Sequence, residues 1–259
     1  MSWTRFLECA PPGEHAVVIY PEPDELAATV GQFLDAGFRA GEPALVIGTA
    51  SHLPAFRAEL ERRGRNVEEL QDQGVLTCRV ADETLAAFMD GDVPSARAFE
   101  EVVGGAVDEV ARRFPGKTAR AFGEMVDLLL RRGQGAAAIA LEELWNGLME
   151  TRTLALLCAY ELDVFDLDTQ TSALPEIVRT HTHSRPVADT GRLAAAVAET
   201  LTQVVGPDTA ARIYLQVAQD VPRTELPRAQ AVLMWLSSNE PATARRVLHG
   251  ARARYAQAA

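Results

Sequence analysis

The residues best suited to chemistry are one glutamate at a strand-to-helix junction, a few histidines, and a tripeptide that ends like a phosphate-binding loop. Glu124 follows the short run Ala119 to Gly123 and precedes Met125-Val126. A carboxylate placed there can act as a general base or hold a polar ligand group. It can equally cap the helix, where the dipole favours negative charge. Thr49 and His52 follow a second apolar run, Ala44-Leu45-Val46-Ile47. His181-Thr182-His183 would set two imidazoles on one face of an extended segment, half of a zinc site. Cys158 or His15 would complete it only if the fold brought them close, and a solvated histidine pair is the simpler reading. Gly116-Lys117-Thr118 matches the end of a Walker A motif, but that motif needs a glycine five residues earlier, between a strand and a helix. Position 111 is Ala, and here a helix precedes the tripeptide and a strand follows it, so the match is one of chance. No GxSxG elbow, HExxH helix or dinucleotide fingerprint occurs, and no catalytic residue is expected.

The elements that must position these residues alternate as a parallel α/β fold requires. Strands are expected at His15 to Tyr20, Ala44 to Ile47, Gly74 to Val80, Ala119 to Phe122 and Leu154 to Tyr160. The last is a continuous apolar run, typical of a strand covered on both faces. Helical spacing of Leu26, Val30, Phe33 and Leu34, and of Leu53, Phe56 and Leu60, predicts helices after the first two strands. Further helices are expected around Thr84 to Met89, from Ser95 to Phe114, around Val126 to Arg131 and through Leu141 to Trp145. On that last helix Glu142 and Trp145 share a face, and Trp145 reads as core more readily than as site.

Composition shifts after Asp166. Residues 1–165 form the α/β domain, and 166–189 are a connecting segment with one short helix around Leu174 to Arg179. Residues 190–259 form a small bundle of about four helices. Three of its helix starts place proline at a first turn, where its missing N–H costs nothing: Gly206-Pro207-Asp208, Thr224-Glu225-Leu226-Pro227 and Asn239-Glu240-Pro241. With 36 acidic against 25 basic residues the formal charge is −11. That excess argues against nucleic acid and anionic membranes as partners. Cys9, Cys78 and Cys158 make neither a disulfide framework nor a zinc pair, and Cys158 reads as an inert buried thiol. No signal peptide and no membrane helix is expected, which points to the cytoplasm.

Two resemblances sharpen this reading. The stretch from Gln32 to Ile47 resembles the region after the P-loop in the clock-protein branch of RecA-like ATPases. The phosphate loop would then fall on Tyr20 to Glu25, which offers no glycine or lysine, two prolines without N–H groups, and three carboxylates. Such a loop repels a triphosphate. His15 to Tyr20, the stretch Gly41 to His52, Phe122-Gly123-Glu124-Met125-Val126, Leu141 to Asn146 and Leu157 to Tyr160 together resemble the MEDS domain, a sensory domain of methanogens and methylotrophs. That resemblance covers roughly residues 10–183. It implies a RecA-like three-layer α/β domain with a degenerate P-loop, used in bacteria for sensing small organic ligands or relaying signals in transcription regulation. The expected role is therefore non-catalytic, with no cofactor and no metal, a small organic ligand, a regulatory protein partner and homodimer formation. Ligands bind beyond the carboxyl ends of parallel strands, and that edge would carry Tyr20, Glu22, Thr49, His52, Asp82, Glu124, Met125 and Tyr160. The expected ligand-binding residues are these without Asp82, together with His15, which begins a strand, and Trp145 on its helix. The rivals are a dimerisation scaffold and an enzyme centred on Glu124.

Overall fold

The computed structural model describes residues 3–20, 23–220 and 226–257. Pro21, Glu22, Thr224 and Glu225 lie outside them, and with Glu22 and part of the second proline-start sequence nothing structural is associated. The chain divides into two compact units, Met1–Val18 with Glu22–Glu161, and Ile19–Pro21 with Leu162–Ala259.

In the first unit the order is α1 (Trp3–Cys9), β1 (His15–Tyr20), α2 (Pro23–Arg39), β2 (Ala44–Gly48), α3 (Leu53–Arg62), α4 (Val67–Asp72), β3 (Leu76–Val80) and α5 (Ala81–Ala86). A two-strand hairpin follows, β4 (Met89–Asp90) and β5 (Val93–Pro94), then α6 (Ala96–Phe99), α7 (Gly105–Arg113), β6 (Ala119–Gly123), α8 (Met125–Arg131), α9 (Gly135–Thr151) and β7 (Leu154–Glu161). The strands lie in the order β3-β2-β6-β7-β1. The β2/β3, β2/β6 and β6/β7 pairs are parallel, with Ala44 level with both Leu76 and Arg120, and Gly123 level with Cys158. This is an α/β fold, and the strand positions follow the apolar runs of the sequence closely.

The helix expected from Ser95 to Phe114 is interrupted: Glu100–Gly104 form a π-helical turn between α6 and α7. Gly104 is buried there, and a Cβ would meet the Glu100 carboxylate at 3.1 Å and Arg152 at 3.2 Å. Two consecutive glycines with low helix preference let the turn widen at that point. The helix expected at Thr84 to Met89 lies earlier, at Ala81–Ala86, because Met89 pairs with Pro94 in the hairpin. Gly116, at φ 75°, turns the chain from α7 into β6. Lys117 Nζ there donates to the Ala40 carbonyl at 3.2 Å. The tripeptide thus sits before the amino end of its strand, where no phosphate loop belongs.

Side chains alternate across the sheet. On one face Arg120 reaches toward α1 and α2, and Phe122 meets Phe56 edge-on at 5.1 Å. On the other, Gly123 approaches Trp145 of α9, which packs edge-on against Phe99 at 5.4 Å. Arg120 is 1% exposed and donates to the Leu7, Glu8 and Phe33 carbonyls and to Glu42 Oε2. It ties α1 and α2 to the middle of the sheet. Gly37 makes room for it, since a Cβ there would sit 2.5 Å from Arg120 Cδ.

The second unit holds a π-helical turn (Thr169–Ala173), α10 (Leu174–Thr180), the short strand β8 (His183–Arg185), and α11 (Thr190–Val205), α12 (Pro207–Asp220), α13 (Arg228–Asn239) and α14 (Pro241–Gln257). Asp189 caps α11 by accepting from the Arg192 N–H at 2.8 Å. Gly206, at φ 82°, ends α11, and Pro207 opens α12. Leu193, Val197, Leu201, Leu233, Leu236 and Val247 form the centre of its core. Within it Gln230 Nε2 donates to Gln170 Oε1 at 2.8 Å. Among the described residues no helix is long and apolar enough to cross a membrane.

Arg120→Met strands three carbonyls and the Glu42 charge. Chemical denaturation is expected to show a loss of roughly 3 kcal/mol, with Gly37→Ala destabilising the chain in the same direction.

Candidate functional site at the carboxyl edge of the sheet

β2 and β6 end side by side, and the residues just beyond them converge. Glu124 is fully buried and sits at the N-cap position of α8, yet its side chain makes no cap bond. It turns instead to the loop after β2. Oε2 accepts from the Thr49 N–H at 2.8 Å, and Oε1 meets His52 Nδ1 at 2.5 Å. Gly48 admits the carboxylate, because a Cβ there would lie 3.3 Å from Oε2. Thr49 Oγ1 accepts from the His52 N–H at 3.3 Å and thereby shapes the turn that starts α3. His52 is the residue before α3, with Pro54 in the first turn.

The hydrogen bond to Glu124 raises the His52 pKa above its ordinary 6.5, and burial opposes it only in part. The pair is a charge-assisted contact held out of bulk water. One turn along α8, Asp127 is 2% exposed and accepts from the Glu161 N–H at 3.0 Å. Burial pushes its pKa up to about 6. This edge therefore concentrates titratable groups, as ligand and functional sites do.

Beside it lies a cavity of about 410 Å³, between β2 and β3 on one side and α3 and α4 on the other. Leu34, Val46, Phe56, Leu60 and Leu76 form its apolar lining, and Cys78 stands in its wall. Cys78 is exposed to solvent, yet burial among protein atoms raises its thiol pKa. The volume falls within the roughly 300–1,000 Å³ of small-molecule sites. The residues that line it read as ordinary core in the sequence.

Of the residues selected from the sequence, Thr49, His52 and Glu124 come together. Met125 and Trp145 are each 1% exposed and serve as core. Tyr20 is equally buried, at the end of β1 that belongs to the second unit. His15 and Tyr160 each reach Glu142 of α9, at a different place. His15 Nε2 lies 3.3 Å from Cys158 Sγ and 3.4 Å from Glu142 Oε2, and Nδ1 bonds Asn146 Oδ1 at 2.9 Å. The Tyr160 hydroxyl donates to Glu142 Oε1 at 2.8 Å. Burial, then the Glu142 charge, holds the Cys158 thiol and the Tyr160 hydroxyl well above their usual pKa ranges. The sequence put Glu142 on one face with Trp145, and did not point to Glu142 or Asn146, one helical turn apart on α9, as partners of His15. In the second unit His181 Nδ1 lies 2.6 Å from the Ile177 carbonyl, and His183 is buried in β8.

The first unit is thus a parallel α/β domain with a buried histidine–carboxylate pair at its carboxyl edge and an apolar cavity alongside. Residues 14–182 match the family model described as MEthanogen/methylotroph, DcmR Sensory domain. The chain belongs to this MEDS family, a family of sensory domains. The match continues past Glu161 into the second unit and stops before α11, so the four helices α11 to α14 lie beyond it. No curated protein matches the chain.

The raised His52 pKa has a signed consequence. The folded state binds that proton more tightly than the unfolded chain, so the stabilisation is fully present below pH 6.5 and is lost as pH rises through the folded value. Glu124→Gln is expected to bring the His52 midpoint, followed by imidazole NMR, back toward 6.5 and to flatten that loss.

Proposed function

We propose that this chain is a non-catalytic sensor of small organic molecules, with the apolar cavity as the ligand site and the His52–Glu124 pair as the group that registers occupancy. One observation carries the reading: the helix that walls the cavity with Phe56 and Leu60 is the same helix whose first turn is fixed by His52 on Glu124. A ligand that moves α3 must alter that contact, and a two-state contact of this kind is what a sensory domain passes on. The apolar lining suits a compact, weakly polar organic compound. Membership of a sensory family supports the same role.

The enzyme reading centred on Glu124 is weaker because both carboxylate oxygens are already engaged by Thr49 and His52. ATP has no place in the proposal either. The stretch from Tyr20 to Glu25, where a RecA-like ancestry would put the phosphate loop, offers three carboxylates and no lysine. A protein partner that reads the change, and pairing of two chains through α11 to α14, complete the proposed role in bacterial transcription control. The cytoplasm is the proposed location.

Cys78 supplies the test. A panel of short-chain organic compounds is titrated while a thiol reagent modifies the chain. A cavity ligand is expected to slow Cys78 modification and leave Cys9 unaffected. Cys78→Phe, which fills the space, should weaken binding about tenfold or more, equivalent to about 1.4 kcal/mol. Binding that leaves Cys78 reactivity unchanged and survives Cys78→Phe would place the ligand elsewhere.

A further inference from the structure

The buried cluster under α9 has the dimensions of a metal site. Within the first unit three potential donors come from three separate elements: His15 from β1, Glu142 from α9 and Cys158 from β7. All three are at most 1% exposed, and their donor atoms lie within 4.8 Å of one another. A tetrahedral zinc ion binds sulfur at about 2.3 Å and nitrogen or oxygen at about 2.0–2.1 Å. Those bond lengths set S···N and S···O edges of about 3.5 Å and an N···O edge of about 3.3 Å. The corresponding distances are 3.3 Å for His15 Nε2 to Cys158 Sγ, 3.5 Å for Cys158 Sγ to Glu142 Oε2, and 3.4 Å for His15 Nε2 to Glu142 Oε2. A direct charge-assisted hydrogen bond between imidazole and carboxylate would draw the last pair to about 2.7–2.9 Å.

The surrounding groups are arranged as supports for metal ligands. Asn146 Oδ1 accepts the Nδ1–H of His15 at 2.9 Å, which fixes the tautomer whose Nε2 lone pair faces the cluster. The Tyr160 hydroxyl holds the other oxygen of Glu142 at 2.8 Å and so sets the direction of Oε2. A thiolate and a carboxylate together carry two negative charges, which balance one divalent cation in a site closed to water. The donor set of one imidazole, one thiolate and one carboxylate suits zinc among the divalent ions.

We propose that His15, Glu142 and Cys158 supply three of the four ligands of a structural or regulatory zinc ion, with Asn146 and Tyr160 as the residues that orient them. Binding replaces the thiol proton of Cys158, which leaves to the buffer, and forms one Zn–S, one Zn–N and one Zn–O bond. The ion joins the two neighbouring strands β1 and β7 to the helix that covers them. This site is separate from the apolar cavity, and its existence does not depend on the sensor reading.

The test uses the full chain, stripped with a chelator and titrated with Zn²⁺, then with Co²⁺ as a spectroscopic substitute. One equivalent per chain is expected, with a sulfur-to-metal charge-transfer band in the Co²⁺ form. Cys158→Ser should lose the band, while Cys9→Ser and Cys78→Ser keep it. Asn146→Ala should weaken zinc about 10–100-fold through the freed imidazole. X-ray absorption of the unmodified zinc-loaded chain should show one sulfur with nitrogen and oxygen neighbours, a readout that stands even if Cys158→Ser does not fold. Absence of stoichiometric zinc, a metal shell without sulfur, or a band that persists in Cys158→Ser overturns the assignment.

Discussion

Glu124 is a carboxylate with no exposed surface, and much of the first unit is organised by the need to satisfy it. An isolated buried charge is costly by many kcal/mol. The chain offsets that cost with a backbone N–H from Thr49 and the imidazole of His52, both in the turn after β2. That turn is therefore held to the end of β6, and α3 must begin where it does. Because α3 then leans over β2 and β3 without filling the space beneath it, the cavity follows from the same constraint.

The other buried polar groups act at a distance from this edge but by the same rule. Arg120 crosses from the sheet to α1 and α2 and finds four oxygen partners. Glu142 enters from α9 and meets His15, Cys158 and Tyr160. Arg120 thereby ties two helices to one strand and Glu142 one helix to two strands, so apolar packing supplies the cohesion and the polar groups supply the register. In the proposed sensor reading α3, which covers the cavity, is the element that a ligand would move.

Much of the frame was legible in the sequence because β1, β2 and β7 stand out as apolar runs: Leu154 to Tyr160 is the clearest case. The proline starts at Pro207 and Pro241 were equally readable, since their chemistry is local. What escaped depends on contacts distant in sequence. Gly104-Gly105 marks a weak point in the helix but does not say whether the chain widens or breaks there, and α1 and α4 are too short for a periodic pattern to emerge. Thr49, His52 and Glu124 could be chosen together because the fold class puts all strand ends on one edge. The cavity lining could not, for Leu60 or Leu76 facing empty space looks the same in sequence as Leu60 or Leu76 facing core. The partnership of His15 with Glu142 and Cys158 spans well over a hundred residues, and only the packing of α9 across the sheet reveals it.

The link between the cavity and the His52–Glu124 pair is most directly examined by backbone amide NMR of the full chain during titration with a compound that protects Cys78. The Thr49 N–H, which donates to Glu124, and the His52 N–H are predicted to shift together with the cavity residues Leu60 and Leu76 and to saturate at the same concentration. Saturation of the cavity resonances with Thr49 and His52 unmoved would contradict the account, since α3 would then hold a ligand without registering it.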